Sequence, residues 1–172
     1  MRFISEKQGL EKLRLLKEDF AERIRSDFEK NAKSCATCET PGACCLDAHF
    51  VNVRISQLEA KAIRGALEEL PDELRDGVHR RIERAIEEYR LDAGDDNTYA
   101  CPLFEKGTGC LVHTKAKPLP CIQHACYENE KDLPPDELLA EQEGRVDRVN
   151  RRVYGRKSKL TPLPVAIGSV GR

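Results

Sequence analysis

Eight thiols are the residues of this chain best able to do chemistry. Four of them, Cys35, Cys38, Cys44 and Cys45, fall within eleven positions of the stretch KSCATCETPGACCLDAH, which closes on His49. The other four, Cys101, Cys110, Cys121 and Cys126, lie in TYACPLFEKGTGCLVHTKAKPLPCIQHACYENEKD, residues 98 to 132. Clustered thiols can form disulfides, act as nucleophiles or ligate a metal. The first residues, MRFISEKQGLEK, hold no leader-like apolar run, and nowhere do eighteen apolar residues follow one another. The reading is therefore a cytoplasmic, non-membrane protein in a reducing compartment, where clustered cysteines bind metal or do redox work more often than they form stable disulfides. A nucleophile needs a depressed pKa and access, and neither is visible in a sequence. Whether the chain is an enzyme is left open, with no catalytic residue assigned.

Spacing favours a metal. Cys35 and Cys38 form a C-x-x-C, which lets two sulfurs from one turn of chain reach one tetrahedral ion. Cys44 and Cys45 are adjacent, and neighbouring side chains diverge in an extended segment, so the pair points to two centres or to one ligand beside a second thiol. Eight sulfurs divide into two four-sulfur sites or surround one polynuclear cluster. Neither group shows two short-spaced pairs about fifteen residues apart, as in zinc fingers, nor the bacterial ferredoxin run. The site is expected to form from both groups together, 35–45 against 98–126. His49, His113 and His124 are alternative ligands, but with eight thiols at hand they read as surface or supporting groups. His79 reads as solvated.

The order C-x-x-C, C-C, C-P-L, G-C-x-V, P-x-x-C and a last Cys resembles the CxxCxxxxCC cysteine-cluster family, a zinc- or iron-chelating domain typified by YkgJ. The likeness spans residues 35 to 126. It implies that Cys35, Cys38, Cys44, Cys45, Cys101, Cys110, Cys121 and Cys126 are the metal-binding set. The chain departs from the family pattern in five places. Five residues separate Cys38 from Cys44 where the family has four, and one extra residue lies between Cys110 and Pro118. His113 stands where Tyr is usual, and Lys117 and Ile122 replace two arginines, which weakens any inference of a family-typical anion site.

The elements that must position these thiols are helical. Leu10, Leu13, Leu16, Phe20, Ile24 and Phe28 share one face of a helix expected over residues 5 to 33. Val51, Val53 and Ile55 alternate as in a short strand. Ser56 and Glu59 make a capping box for a helix through Leu70. Pro71 opens another, which runs to about Leu91 and is ended by the turn of residues 94 to 97. Residues 98 to 132 lack either periodicity and need an organising ion. After Pro134 and Pro135, helical spacing resumes through Val153, with Gly144 a weak point.

The fold class is accordingly mainly α, amphipathic helices around an irregular Cys-rich centre with at most short β-strands. One domain is expected over 1–160, followed by a surface or flexible tail, 161–172. With 172 residues, aromatics at 5% and no Trp, the core must rest on aliphatic side chains, and a metal staple would help it. Charges nearly cancel, 29 basic against 30 acidic, so no global field draws the chain to nucleic acid or an anionic membrane. The basic run at 145–159, with seven basic residues and one acid, leaves a nucleic-acid or protein partner open, although a solvated face is the default. Lys33, Arg54, Lys106, Lys115 and Lys117 are candidates to offset thiolate charge. The cofactor expected is an iron–sulfur cluster or zinc, with iron–sulfur narrowly favoured because the Cys-Pro ligand and adjacent thiols suit a polynuclear centre. Three functions compete: a metal-binding protein holding iron–sulfur, a structural zinc module presenting the basic helix, and a metal-dependent redox or group-transfer enzyme.

Overall fold

Helix α1 (Glu6–Asp27) starts where Ser5 accepts from the Gln8 N–H and the Gln8 side chain returns a bond to the Ser5 N–H, which satisfies two orphan donors. It ends earlier than its periodicity predicts. Phe28 caps it, a 3₁₀ turn follows at Glu29–Asn31, and β1 (Ala32–Lys33) pairs antiparallel with β5 (Cys126–Tyr127). The last turn of the expected helix is lost to a strand whose partner lies some ninety residues away in sequence, a preference no local pattern encodes.

The computed structural model describes residues 2–33, 39–40, 42–47, 51–92, 97–127 and 129–168. It is mainly helical, and its strands are antiparallel two-residue pairs. Where one domain with a tail was expected, the chain gathers into two units interleaved in sequence. The first comprises Met1–Glu39 and Pro118–Lys159, the second Thr40–Lys117 and Leu160–Arg172. In the first, α1 packs on α5 (Leu119–Gln123) and α6 (Asp136–Tyr154). Leu13, Phe20 and Ile24 of α1, Leu119 and Ile122 of α5, and Leu138, Val146 and Val149 of α6 are its buried apolar residues. Gly144 does not break α6, which runs through to its left-handed cap at Gly155.

The second unit holds α2 (Ala43–Leu46), β2 (Arg54–Ile55), α3 (Gln57–Glu68), α4 (Asp72–Glu88), β3 (Phe104–Glu105), β4 (Gly109–Cys110), β6 (Thr161–Pro162) and α7 (Leu163–Gly168). The expected capping box of Ser56 and Glu59 opens α3. Pro71 and Pro135 cap α4 and α6, each followed by two acids whose charge suits a helix N-terminus. The expected strand is reduced to Arg54–Ile55, which pairs with Thr161–Pro162. That pairing corrects the reading of 161–172 as a surface tail. Residues 161–168 form β6 and α7, and Leu163 and Ile167 are 1% and 3% exposed in the core with Ile63, Val78 and Ile82. The physical reason is that TPLPVAIG carries enough apolar surface to be buried despite its Pro and Gly punctuation. The terminal residues 169–172 lie outside the described residues, as do Gly94, Asp95 and Asp96 of the expected turn. Among the described residues, no helix is long and apolar enough to cross a membrane.

Tyr99 ties this unit together. Its side chain is buried, its N–H donates to the Val51 carbonyl at 2.9 Å, its hydroxyl donates to the Val53 carbonyl, and the Leu163 N–H donates to that hydroxyl at 3.3 Å. A Tyr99→Phe variant should lose about 1–2 kcal/mol of stability, because it strips a buried carbonyl and a buried amide of one partner each. Urea unfolding checks this, and an unchanged midpoint would mean the hydroxyl is idle.

Candidate metal centre

The six described cysteines divide between the units four and two. Cys44, Cys45, Cys101 and Cys110 belong to the second, and Cys121 and Cys126 fall in the first. Cys35 and Cys38 precede the unit boundary in sequence but lie outside the described residues, as does His49.

In the second unit, Gly42 takes φ +82° and caps the single helical turn α2, which carries Cys44 and Cys45. The segment is helical, not extended, so Cys44 and Cys45 are successive residues of one helical turn. The Cys101 N–H donates to the Cys45 carbonyl at 2.8 Å, clamping the Cys44-Cys45 turn onto the C-P-L-F segment. From Cys101 the chain turns so that the Phe104 N–H donates to the Cys101 carbonyl at 3.4 Å, and the Leu103 and Phe104 amides favour the Cys101 thiolate. The β3–β4 hairpin then brings Cys110 opposite Phe104, and the Val112 N–H donates to the Cys110 sulfur. Three amides are thus aimed at two sulfurs, an arrangement that stabilises thiolate charge.

The ring of Phe104 seals the two pieces. A Cβ placed on Gly42 would overlap that ring, and φ +82° is itself costly for any residue with a side chain. Gly42→Ala should lower the thermal midpoint of the protein by several degrees, as expected for a loss of about 1–2 kcal/mol in a chain of this size. A midpoint unchanged from wild type would mean that the Cys44-Cys45 turn is not held by Phe104.

Electrostatics around these thiols pull in opposite directions. Burial, reinforced by Cys44, Cys101 and Cys110, pushes the Cys45 thiol up to about 12. Burial also raises Cys101, to about 11, against the Leu103 and Phe104 amides and the Arg81 guanidinium. Cys110 is raised by burial against the Val112 amide and Lys117. Cys44 is the exposed member. Arg81, from α4, donates through Nε to the Pro102 carbonyl at 2.9 Å and pairs through Nη1 with Glu105 at 2.9 Å. It thereby fastens both ends of the C-P-L-F turn and places a cation near Cys101. Its periodicity in the sequence marks it only as one charge among many on its helix. Of the lysines and arginines expected to offset thiolate charge, Lys117 acts on Cys110, whereas Lys115 pairs with Glu69 and Arg54 donates to the Leu160 carbonyl.

In the first unit, α5 carries Cys121, and β5 sets Cys126 opposite Lys33 in the β1 ladder. His113 and His124 are exposed, as is His79. Among the described residues, no group of three or more His, Cys, Asp or Glu is already arranged to hold an ion. An ion held by the second unit would require its sulfurs to move together. The donor chemistry fits a thiophilic metal: four thiols without disulfides, amides aimed at two of them, and a guanidinium at hand.

Compared with family models, with curated proteins and with solved structures, the chain matches none.

Proposed function

We propose that the chain is a cysteine-cluster metal-binding protein whose thiols hold an iron–sulfur cluster or clusters, in keeping with its resemblance to the CxxCxxxxCC family. The observation that carries this reading is the meeting of Cys44-Cys45 with Cys101 and Cys110, with the Leu103, Phe104 and Val112 amides directed at sulfur. Cys44, Cys45, Cys101 and Cys110 would hold the metal in the second unit, and the group would supply either structural cross-linking or electron transfer. Zinc is the second reading, supported by the same set of four sulfurs, the number a closed tetrahedral site needs. Anaerobic purification followed by iron, zinc and acid-labile sulfide analysis separates the two. Brown protein with iron and sulfide in equal amounts is expected, and a colourless preparation with stoichiometric zinc would replace iron–sulfur by zinc.

Acid should weaken binding steeply. Cys45, Cys101 and Cys110 all have raised pKa values, so near pH 7 they carry protons that a bound metal must displace. At least three protons released per metal centre, one each from Cys45, Cys101 and Cys110, make the apparent zinc affinity rise at least about a thousandfold for each pH unit between 6 and 8, in the limit of full protonation of those three. Calorimetry in buffers of different ionisation enthalpy counts those protons. Release of fewer than one proton per centre would mean that these thiols are not ligands.

A partner role for the basic helix receives less support. Arg145 is 3.3 Å from Asp19, Arg151 is 2.7 Å from Asp147, and Arg152 donates to the Arg2 carbonyl at 3.1 Å. These side chains stabilise the first unit and offer little to a phosphate backbone.

A further inference from the structure

We propose that β6 and α7, residues 161–168, act as a releasable strap, and that its docking, through Tyr99, controls how far the Cys101 thiol is open to solvent. The strap concerns access to a thiol of the proposed centre, but it is built from contacts of the chain alone and does not depend on which ion, if any, that thiol holds.

The strap is ordered by docking. A two-residue strand and a six-residue helix cannot hold their conformation alone, because nucleating a helix costs more than so few hydrogen bonds return. Its ladder with β2 has two positions, and at one of them stands Pro162, which has no N–H to give. Three further bonds hold it. The Leu163 N–H donates to the Val53 carbonyl at 2.9 Å, Arg54 donates to the Leu160 carbonyl at 2.9 Å, and Arg64 donates to the Ala166 carbonyl at 2.8 Å. Burial of Leu163 and Ile167 does the rest. A short element with few backbone bonds and two apolar anchors is the kind that opens as one unit, at a lower free energy than global unfolding.

Tyr99 joins the strap to Cys101. The Leu163 N–H donates to the Tyr99 hydroxyl at 3.3 Å, and that hydroxyl donates to the Val53 carbonyl. Two residues on, the backbone repeats the same move: the Tyr99 N–H donates to the Val51 carbonyl at 2.9 Å and the Cys101 N–H to the Cys45 carbonyl at 2.8 Å. Leu163, Ile167, Tyr99 and Leu103 belong to one buried cluster, and Cys101 packs against it. Undocking the strap therefore takes from Tyr99 both a hydrogen-bond donor and an apolar neighbour, and loosens the stretch on which Cys101 is carried. Cys44 is exposed already and gains nothing from the same opening.

The test uses the full-length chain as purified under reducing conditions, with and without a chelator. Hydrogen exchange of residues 161–168 is followed beside maleimide labelling of each cysteine, mapped by mass spectrometry, in urea concentrations below the unfolding transition. In the wild type, strap exchange and Cys101 labelling should share one urea slope, shallower than that of global unfolding. Leu163→Ala should raise both by at least about tenfold and leave Cys44 labelling unchanged. Arg64→Gln, which removes one clamp without emptying the core, should raise both about threefold, and it decides the matter if Leu163→Ala does not fold. Faster strap exchange with unchanged Cys101 labelling, in both the treated and untreated samples, overturns the proposal. So does Cys101 labelling that follows only the slope of global unfolding. Protein purified without metal would count against the metal-binding reading and leave this test intact.

Discussion

Replacing Cys101 by serine should abolish metal retention in the second unit and with it the cooperative unfolding of that unit. Cys101 sits where the Cys44-Cys45 turn, the C-P-L-F turn and Arg81 meet, so in the proposed centre its sulfur would be both a ligand and the fixed point of the others. Structural four-sulfur sites contribute about 10–16 kcal/mol of apparent binding energy in small zinc domains. A domain's whole stability is about 5–15 kcal/mol, so losing the centre exceeds what the remaining core can offset. The comparison is Cys44→Ser, at the exposed member of the set, which should weaken binding but leave a folded chain. Metal content and near-UV circular dichroism read both variants. A Cys101→Ser protein that keeps its metal and its folded signal would remove Cys101 from the ligand set.

Deletion of the segment after Leu160 should be nearly as severe. Leu163 and Ile167 are almost fully buried, β6 supplies the only strand partner of β2 among the described residues, and the Leu163 N–H donates to both the Val53 carbonyl and the Tyr99 hydroxyl. Leu163→Ala alone should cost about 2–5 kcal/mol, the range for emptying a buried leucine site. Arg64 also donates to the Ala166 carbonyl at 2.8 Å, so truncation leaves a guanidinium without that acceptor. Chemical denaturation of Leu163→Ala, and limited proteolysis of the truncated chain, check the two steps. A truncated protein as resistant as wild type would show that α7 is dispensable.

Helix starts were readable because their chemistry is local. Ser5 and Ser56 accept from the amide three residues on, and Pro71 and Pro135 stand at the N-caps of α4 and α6 without a side-chain cap bond. Core faces were readable for the same reason: Leu13, Phe20 and Ile24, or Val78 and Ile82, repeat at the helical period and are buried. Residues 98 to 132 looked irregular because β3, β4, α5 and β5 are two to five residues long, too short for a period to declare itself. Cys44 and Cys45 were misjudged in one respect. An extended segment was assumed, whereas Gly42 at positive φ starts a helical turn. Arg81 and Phe104 went unnoticed as supports because their roles depend on partners far off in sequence.

By itself the sequence determined the thiol inventory, the helical class and the helix starts, since composition, period and capping act over a few residues. Tertiary structure alone decided which cysteines are neighbours. The Cys45–Cys101 backbone bond and the Lys33–Cys126 ladder position are contacts between segments more than fifty residues apart, and they fall in different units, Cys45 and Cys101 in the second and Cys126 in the first. It also decided that residues 161–168 belong inside. Burial of Leu163 and Ile167 depends on a cavity that α3, α4 and Tyr99 create, and no stretch of eight residues carries the shape of the space it will fill.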